Sequence, residues 1–387
     1  MANLMILSSL ISVPELGENM IKRIGGLLFI LVVMWAILSP VSIRGQDTIS
    51  VTNSSAQMDF PLSLNFSAQI KSDATISDVR LRYQIQQISF ANITSEAVVS
   101  FNKGTNVNAR YTLDMRKIGG VPPGTDIKYW WLVKNADGKM LETQPLLFHV
   151  TDNRYQWRNL TEGKISIYWY QGSNSFAQTL MSTAQQSLVK LEQDTGATPD
   201  SLIDIFIYAS TQDLQGSMVF PQEWTGGAAF TQFNIIAIGI SPDNLAWGQG
   251  AMTHELTHIV ISQMTANPYS GLPVWLNEGL AMYSQGLLEP QYSSLLKEAV
   301  TGNKLISVRS LASPFSATTE KSLLSYAESY TLVEFLITQY GSDKMLQLLQ
   351  TFRAGATYDG ALQKVYGFDM DGLNEIWKAW ITRLYSG

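Results

Sequence analysis

The sequence predicts an α+β protein in two parts, a β-sandwich followed by a mixed α/β domain that ends in helices. Short alternating runs of apolar and polar residues recur between residues 47 and 151. From residue 152, strand and helix patterns alternate, and after Gly248 almost every pattern is helical. We therefore divide the 387 residues into a targeting segment at 1–46, a sandwich domain at 47–151 and a second domain at 152–387.

The composition allows a large core and excludes several classes of function. Hydrophobic residues make up 45% of the chain, charged residues only 15%, and the net charge is -6. Since no basic stripe is present, nucleic acid is not expected as a partner. The absence of cysteine excludes thiolate zinc ligands, a cysteine nucleophile and disulfide bonds.

The first 46 residues carry a targeting signal. Lys22 and Arg23 precede the apolar run 24–38, which Ser39 and Pro40 end. A positive flank before about 15 apolar residues is typical of a signal peptide, because a full membrane span needs about 20. An uncleaved membrane anchor stays open as the alternative. Either way we expect an extracytoplasmic protein, secreted or anchored to the outer face of the membrane. The lack of cysteine favours a bacterial one.

The sandwich is predicted from six short strands separated by turn residues such as Lys103-Gly104. The strands are expected at 62–70, 79–88, 97–101, 109–115, 127–134 and 146–150. Strands at this spacing over about 100 residues are typical of an immunoglobulin- or fibronectin-like sandwich. The aromatic tract 129–133 is expected to be a central strand, with side chains alternating between the core and the other face.

The second domain begins with alternating element types. We expect strands at 165–170 and 202–208, a helix at 175–193, and one or two strands within the apolar run 228–240. The last predicted helix covers 373–384.

A candidate metal-binding motif lies in the helical part. His254 and His258 are four residues apart, so an α-helix presents both imidazoles on one face. Glu255 lies one step round the helix, where it can reach a metal-bound water without being a ligand. The alternative is a pair of surface histidines. The third histidine, His149, lies alone in a predicted strand and receives no metal role.

A carboxylate on the next helix is the candidate third ligand. Pro273 suits the start of that helix and Gly286 its end. Glu278 falls in its first turns, on a stretch otherwise apolar enough to be buried, where an unpaired carboxylate is costly. A zinc ion held by two neutral imidazoles would supply the partner. The alternative is a helix-start carboxylate that the helix dipole favours.

The region from about Ile165 onward resembles the gluzincin peptidases, the clan of thermolysin and the aminopeptidase-N-like enzymes. Nineteen residues separate His258 from Glu278, close to the clan's spacing. The phrase Trp275-Leu-Asn-Glu-Gly-Leu-Ala resembles the third-ligand helix of the aminopeptidase-N-like enzymes. The chain is most similar to small bacterial peptidase MA-like proteins that combine these two motifs.

This resemblance implies a thermolysin-like zincin domain and a zinc-dependent peptidase that acts on peptides or proteins. It implies Zn²⁺ bound by His254, His258 and Glu278, and Glu255 as the general base that activates a zinc-bound water. It also implies that Tyr326 stabilises the oxyanion. Tyr330, four residues later on the same expected helix, is the runner-up, and both could instead be core tyrosines.

One departure from the family bears on the type of cleavage. The family aminopeptidases grip the substrate's amino group with a glutamate on the edge strand before the zinc helix. The corresponding stretch 226–230 is Gly-Gly-Ala-Ala-Phe, which has no carboxylate. We therefore expect endopeptidase action, or hydrolysis of a specialised cell-surface peptide, with an extended peptide paired along this strand.

A different class of function stays open, an exported binding or scaffold protein with a non-catalytic zinc site. Glu255 weighs against it, because a purely structural site does not need this residue. An electron-transfer or non-haem iron protein is disfavoured, since a helix-borne histidine pair with a distant glutamate is what zinc hydrolases use.

Overall fold

The structure is a computed structural model, and it describes residues 48–221, 225–316 and 318–385. The predicted targeting segment 1–46 lies outside the described residues. Within the described part of the chain, no helix is both long and apolar enough to span a membrane.

Eight antiparallel strands form the N-terminal part. They are β1 (Ser50–Asp59), β2 (Ser63–Lys71), β3 (Ile76–Ile85), β4 (Ser95–Val98), β5 (Asn106–Asp114), β6 (Asp126–Asn135), β7 (Met140–Glu142) and β8 (Leu146–His149). One sheet has the order β1-β2-β5, and the other has the order β4-β3-β6-β7, with β8 also paired to β6. The six predicted strands are present. β1 escaped prediction because half of its ten residues are serine, threonine or asparagine, and β7 because it is only three residues long.

The core of the sandwich follows the alternation of β6. Tyr129, Trp131 and Val133 point inward and are buried, while Trp130 covers the opposite face. The indole N–H of Trp130 donates to the Glu142 carboxylate at 2.7 Å, which satisfies its polar atom. β6 pairs with β3, β7 and β8 and is therefore the central strand, as predicted.

A five-stranded mixed sheet follows. Its strands are β9 (Arg158–Glu162), β10 (Ile165–Trp169), β11 (Ile203–Tyr208), β12 (Gly227–Phe230) and β13 (Ile235–Gly239), in the order β12-β13-β11-β10-β9. The three inner strands are parallel, and the two edge strands β9 and β12 are antiparallel to their neighbours. The predicted run 228–240 is thus two strands joined by a tight turn.

The helices lie mostly after this sheet. They are α1 (Asn174–Thr195), α2 (Thr211–Gln215), α3 (Leu245–Thr265), α4 (Val274–Gln285), α5 (Pro290–Thr301), α6 (Val308–Leu311), α7 (Thr319–Tyr340), α8 (Ser342–Arg353), α9 (Tyr358–Tyr366) and α10 (Met370–Tyr385). The predicted α+β fold class is confirmed, with a β-rich N-terminal region followed by a helical C-terminal region.

The mixed sheet separates two different layers. Along β11, Ile203, Ile205 and Ile207 face the helices, while Phe206 and Tyr208 face an aromatic cluster on the other side. Burying each isoleucine stabilises the fold by about 2 kcal/mol. Because side chains alternate along a strand, this pattern determines which face of the sheet the helices cover. The boundary at residues 151/152 between two separate domains stays a prediction.

Candidate metal centre

Helix α3 carries both candidate imidazoles on one face. The ring centroids of His254 and His258 lie 4.8 Å apart, with an angle of 82° between the ring planes. Met252, Leu256 and Ile259 are buried on the opposite side and hold the helix against the sheet. The orientation of the two imidazoles therefore follows from the four-residue spacing and from this apolar face.

Helix α4 brings a carboxylate to the two imidazoles. It begins after Pro273 and ends at Gly286, whose φ is 112°, as its sequence predicts. The Glu278 Oε2 atom lies 3.5 Å from His254 Nε2 and 3.6 Å from His258 Nε2. The three side chains are between 11% and 19% exposed, so the cluster can be reached from solvent.

A glycine decides how closely α4 approaches the later helix α7. A Cβ atom at Gly279 would lie 2.3 Å from the Ser329 carbonyl oxygen and 2.7 Å from a Val333 methyl group. Only glycine permits this crossing without displacing backbone. Because Gly279 directly follows Glu278, the crossing also fixes the height of the carboxylate relative to α7.

The cluster is electrostatically coupled. Burial raises the pKa of Glu278, but the two nearby imidazoles outweigh it and lower that pKa to about 2. Burial lowers the pKa of His258, but Glu278 and then Glu255 outweigh it and raise that pKa to about 9. Glu278 is therefore a carboxylate at neutral pH, and a metal ion must displace a proton from His258.

Gln285 supports one of the imidazoles, and the sequence analysis missed it. Its Oε1 atom lies 3.2 Å from His254 Nδ1. With the amide oxygen facing the ring, Nδ1 donates its hydrogen to Gln285, which leaves Nε2 as the ring nitrogen that faces the metal position. The available signal was spacing, because Gln285 lies seven residues after Glu278 and so on the same face of α4.

Glu255 lies beside the cluster rather than in it. A Cβ atom at Gly227, in the edge strand β12, would come within 3.0 Å of Glu255 Oε1. The Glu255 charge contributes to raising the pKa values of both His258 and Tyr326. This carboxylate therefore lies between β12 and the cluster.

The two candidate tyrosines have different surroundings. Burial, followed by the charges of Glu278 and other neighbours, raises the pKa of Tyr326 to about 12. Burial also raises the pKa of Tyr330 to about 12, but the charge that contributes most to this rise is that of Glu334. The Tyr330 ring packs against Tyr283, with the ring centroids 5.7 Å apart. Of this pair, Tyr326 is therefore the tyrosine whose pKa is affected by the charge of Glu278 in the cluster.

His149 lies away from the cluster, in β8 of the sandwich. Its Nδ1 atom is 2.8 Å from the Asp126 carboxylate on β6. Among the residues that the structure describes, the one group of three or more potential ligands is His254, His258 and Glu278, whose ligand atoms lie within 4.8 Å of one another.

The separations within this group suit zinc. A tetrahedral zinc ion with bonds of about 2.0–2.1 Å holds its ligand atoms about 3.4 Å apart. The distances of 3.5 and 3.6 Å from Glu278 Oε2 to the two imidazole nitrogens are close to that value. Two imidazoles and one carboxylate are also a set that zinc hydrolases use.

Sequence comparison assigns the family. Residues 183–383, more than half of the chain, match the Peptidase MA superfamily, and this span contains α3, α4 and α7. The chain belongs to the peptidase MA superfamily. This membership confirms the predicted resemblance to gluzincin metallopeptidases, supports a hydrolase of the metallopeptidase kind and implies zinc. No curated protein sequence matches the chain.

Solved structures show similarity at low identity. An M1 zinc metallopeptidase from Deinococcus radiodurans is 12% identical over 83% of this chain and 90% of its own, with a TM-score of 0.38. A mutant two-domain M1 zinc metallopeptidase bound to L-tryptophan is 11% identical over 85% and 93%, with a TM-score of 0.39. OgpA from Akkermansia muciniphila, in complex with an O-glycopeptide, is 12% identical over 27% of this chain, with a TM-score of 0.21. The match spans 29% of OgpA.

Proposed function

We propose that this chain is a zinc-dependent endopeptidase of the HExxH-plus-glutamate type that acts outside the cytoplasm. The convergence of His254, His258 and Glu278 carries the proposal, with Glu255 and Tyr326 beside them. When bound by these three residues, zinc supplies Lewis-acid polarisation for the scissile carbonyl and the attacking water.

Glu255 is the proton-transfer group in this proposal. Its carboxylate accepts a proton from the attacking water and passes it to the leaving amine. Its place between β12 and the cluster supports this role, because a peptide paired along β12 passes directly over it.

Tyr326 is the proposed oxyanion donor. With a pKa of about 12 it is protonated at neutral pH and can donate a hydrogen bond to the developing negative charge. One such donor is worth about 3 kcal/mol in related active sites. Tyr330, buried against Tyr283, is the matched control, since its replacement by phenylalanine should leave kcat nearly unchanged.

The experiment compares the zinc-loaded full chain with its Glu255→Gln variant on a library of quenched peptides. We expect cleavage by the wild type and a loss of kcat of about 10²- to 10⁴-fold in the variant, with zinc still bound at one ion per chain. Glu192→Gln, an exposed glutamate of α1, is the matched control. Bound zinc without cleavage in either protein would refute catalysis and favour the non-catalytic binding protein.

The endopeptidase assignment rests on the edge strand. No side chain from Gly227 to Phe230 is a carboxylate that could hold a free amino terminus. Peptides blocked by an acetyl group and a C-terminal amide should therefore be cleaved as well as free ones. Cleavage restricted to free amino termini would refute the assignment.

The location rests on the charged and apolar pattern of residues 22–38. Fusion of residues 1–46 to an alkaline phosphatase that is active only after export should give active reporter in a bacterial host. A fusion in which Lys22 and Arg23 are kept but the run 24–38 is made polar is the control. An inactive fusion with the native segment would contradict export.

A further inference from the structure

A cavity of about 650 Å³ adjoins the metal cluster, and two parts of the molecule form its walls. Helices α3 and α4 contribute His258, Ser262 and Asn277. The loop 266–272 between these helices and the segment 87–90, which follows β3 of the β-sandwich, also line it. The cavity is therefore lined both by one proposed zinc ligand and by a segment of the sandwich.

The sandwich segment is held in place by backbone hydrogen bonds. The Ile88 N–H donates to the Gln232 carbonyl oxygen at 2.7 Å, and the Gln86 N–H donates to the Asp126 carbonyl oxygen at 2.9 Å. Gln232 follows β12 by two residues. The wall is thus tied both to its own sheet and to the end of the edge strand, so its position relative to the cluster is fixed.

The direction of β12 decides which part of a bound peptide would reach this cavity. Gly226 lies against Trp247 near the start of α3, Gly227 lies against Glu255, and Gln232 lines the cavity. β12 therefore runs from Glu255 toward the cavity, and it is the last strand of the sheet, with no partner on its outer edge among the described residues. Antiparallel pairing, the more stable kind, would direct the residues before the scissile bond into the cavity.

Apart from the imidazole of the proposed zinc ligand His258, the lining is polar and uncharged. Among the described residues that line the cavity, none carries a carboxylate, an ammonium or a guanidinium group, and Gln87, Gln232 and Asn277 supply amides. A free amino terminus would lose its hydration there without gaining a counter-charge. At the rim, the rings of Phe90 and Tyr269 are 62% and 78% exposed and offer apolar contact.

We propose that this cavity is a substrate subsite for uncharged residues on the amino-terminal side of the scissile bond, and that the β-sandwich segment 87–90 helps to set its specificity. The inference rests on the proposed peptidase function and assigns part of the substrate selection to the N-terminal sandwich. It also accounts for internal cleavage, since a charged terminus is unfavourable in this subsite.

The test adds a single charge to the sandwich wall. Gln87 is exposed, so Gln87→Glu changes an amide into a carboxylate of the same shape. Cleavage of a positional peptide library should shift toward lysine and arginine by about three- to tenfold, and only at positions before the scissile bond. Bound zinc should remain unchanged.

The matched control is Asn102→Asp, which adds the same charge to the sandwich at the opposite end of β3. Asn102 lies two residues before Gly104, whose carbonyl oxygen accepts from the Ile76 N–H at the start of β3. The ten residues of β3 span about 30 Å and separate that end of the strand from Gln87. This variant should keep the wild-type preference. Equal preferences in the two variants, or a shift confined to positions after the scissile bond, would overturn the inference while leaving the peptidase function intact.

A binding measurement separates this inference from the proposed function. Anisotropy titrations of labelled blocked peptides can use the zinc-loaded Glu255→Gln chain with and without Gln87→Glu. We expect lysine-containing peptides to bind about three- to tenfold more tightly when Gln87→Glu is present. If no variant cleaves any peptide but this difference is found, the function fails and the subsite stands. The absence of any difference in affinity would refute the subsite.

Discussion

Two polar clusters lie on opposite sides of the mixed sheet, and they are built in opposite ways. The aromatic side holds Asp152 with Arg154 and Tyr208, whereas the helical side holds Glu278 with His254 and His258. Both carboxylates are mostly buried, and both have cationic or hydrogen-bonding neighbours. The difference is in how completely their oxygen atoms are bonded.

The Asp152 cluster is closed. Its carboxylate accepts from Arg154 Nε at 2.8 Å, from a guanidinium Nη2 at 2.6 Å and from the Tyr208 hydroxyl at 2.9 Å. The Asp152 side chain is completely buried. The Arg154 backbone N–H donates to the same carboxylate at 3.2 Å. These four bonds use all of its acceptor capacity, so this cluster is structural.

The Glu278 cluster is open. Its distances of 3.5 and 3.6 Å to the imidazole nitrogens exceed those of a normal hydrogen bond, which are about 2.7–3.2 Å. The ligand atoms converge on a common point without bonding one another closely. A polar cluster of this kind is stabilised when a cation binds at that point. The closed cluster at Asp152 is stable without a ligand.

The largest expected effects come from replacing the carboxylate of each cluster in a separate variant. Asp152→Asn should lower the free energy of unfolding by about 3–5 kcal/mol, because it leaves the Arg154 guanidinium without its buried partner, and zinc affinity should not change. Glu278→Gln should weaken zinc binding by more than about 100-fold, since losing even an outer partner of a ligand costs about 10- to 100-fold. Urea unfolding and competitive zinc titration of both variants test this. Similar losses of stability in the two variants would contradict the contrast.

The next effect concerns the packing that positions the open cluster. Gly279→Ala should destabilise the chain by about 3 kcal/mol and lower kcat, because the added methyl group meets the Ser329 carbonyl oxygen and pushes α4 away from α7. Gly271→Ala is the control, since a Cβ atom there meets nothing within 4 Å. Thermal unfolding of the two variants measures the difference, and equal midpoints would refute the close crossing.

A smaller effect concerns the support of one imidazole. Gln285→Leu should weaken zinc binding by about 10-fold or somewhat more, because His254 Nδ1 loses its acceptor and the ring loses its fixed orientation. Gln285→Glu restores an acceptor and should recover most of the affinity. If both variants bind zinc as the wild type does, Gln285 has no positioning role.

The smallest effect is a dependence on pH that arises outside both clusters. Burial raises the pKa of Glu328 to about 8, although the Ile306 N–H donates to its carboxylate. Since the ordinary value is 4.5, the unfolded chain releases this proton first, and stability falls between about pH 4.5 and 8. Glu328→Gln should remove this part of the pH dependence, because a glutamine at this position does not titrate. Urea unfolding at pH 5 and pH 8 measures it, and an unchanged slope in the variant would contradict the assignment.

Part of the fold and of the candidate site is readable from sequence because it depends on local periodicity. Alternation predicted six sandwich strands and the central position of the tract 129–133. The four-residue spacing of His254 and His258 predicted a shared helix face, and Pro273 and Gly286 predicted the limits of α4. These features depend on residues within a few turns of one another, where backbone geometry leaves little choice.

Sequence by itself thus determined which residue types are available and on which local faces they lie. Only the tertiary structure decided the 3.5 Å approach of Glu278 to His254, the contact of Gln285 with that ring, and the separation of Tyr326 from Tyr330. It also decided that the sandwich segment 87–90 forms a wall of the cavity beside the cluster. These arrangements depend on how distant elements pack, such as the glycine crossing of α4 and α7, and such packing leaves no periodic signal along the chain.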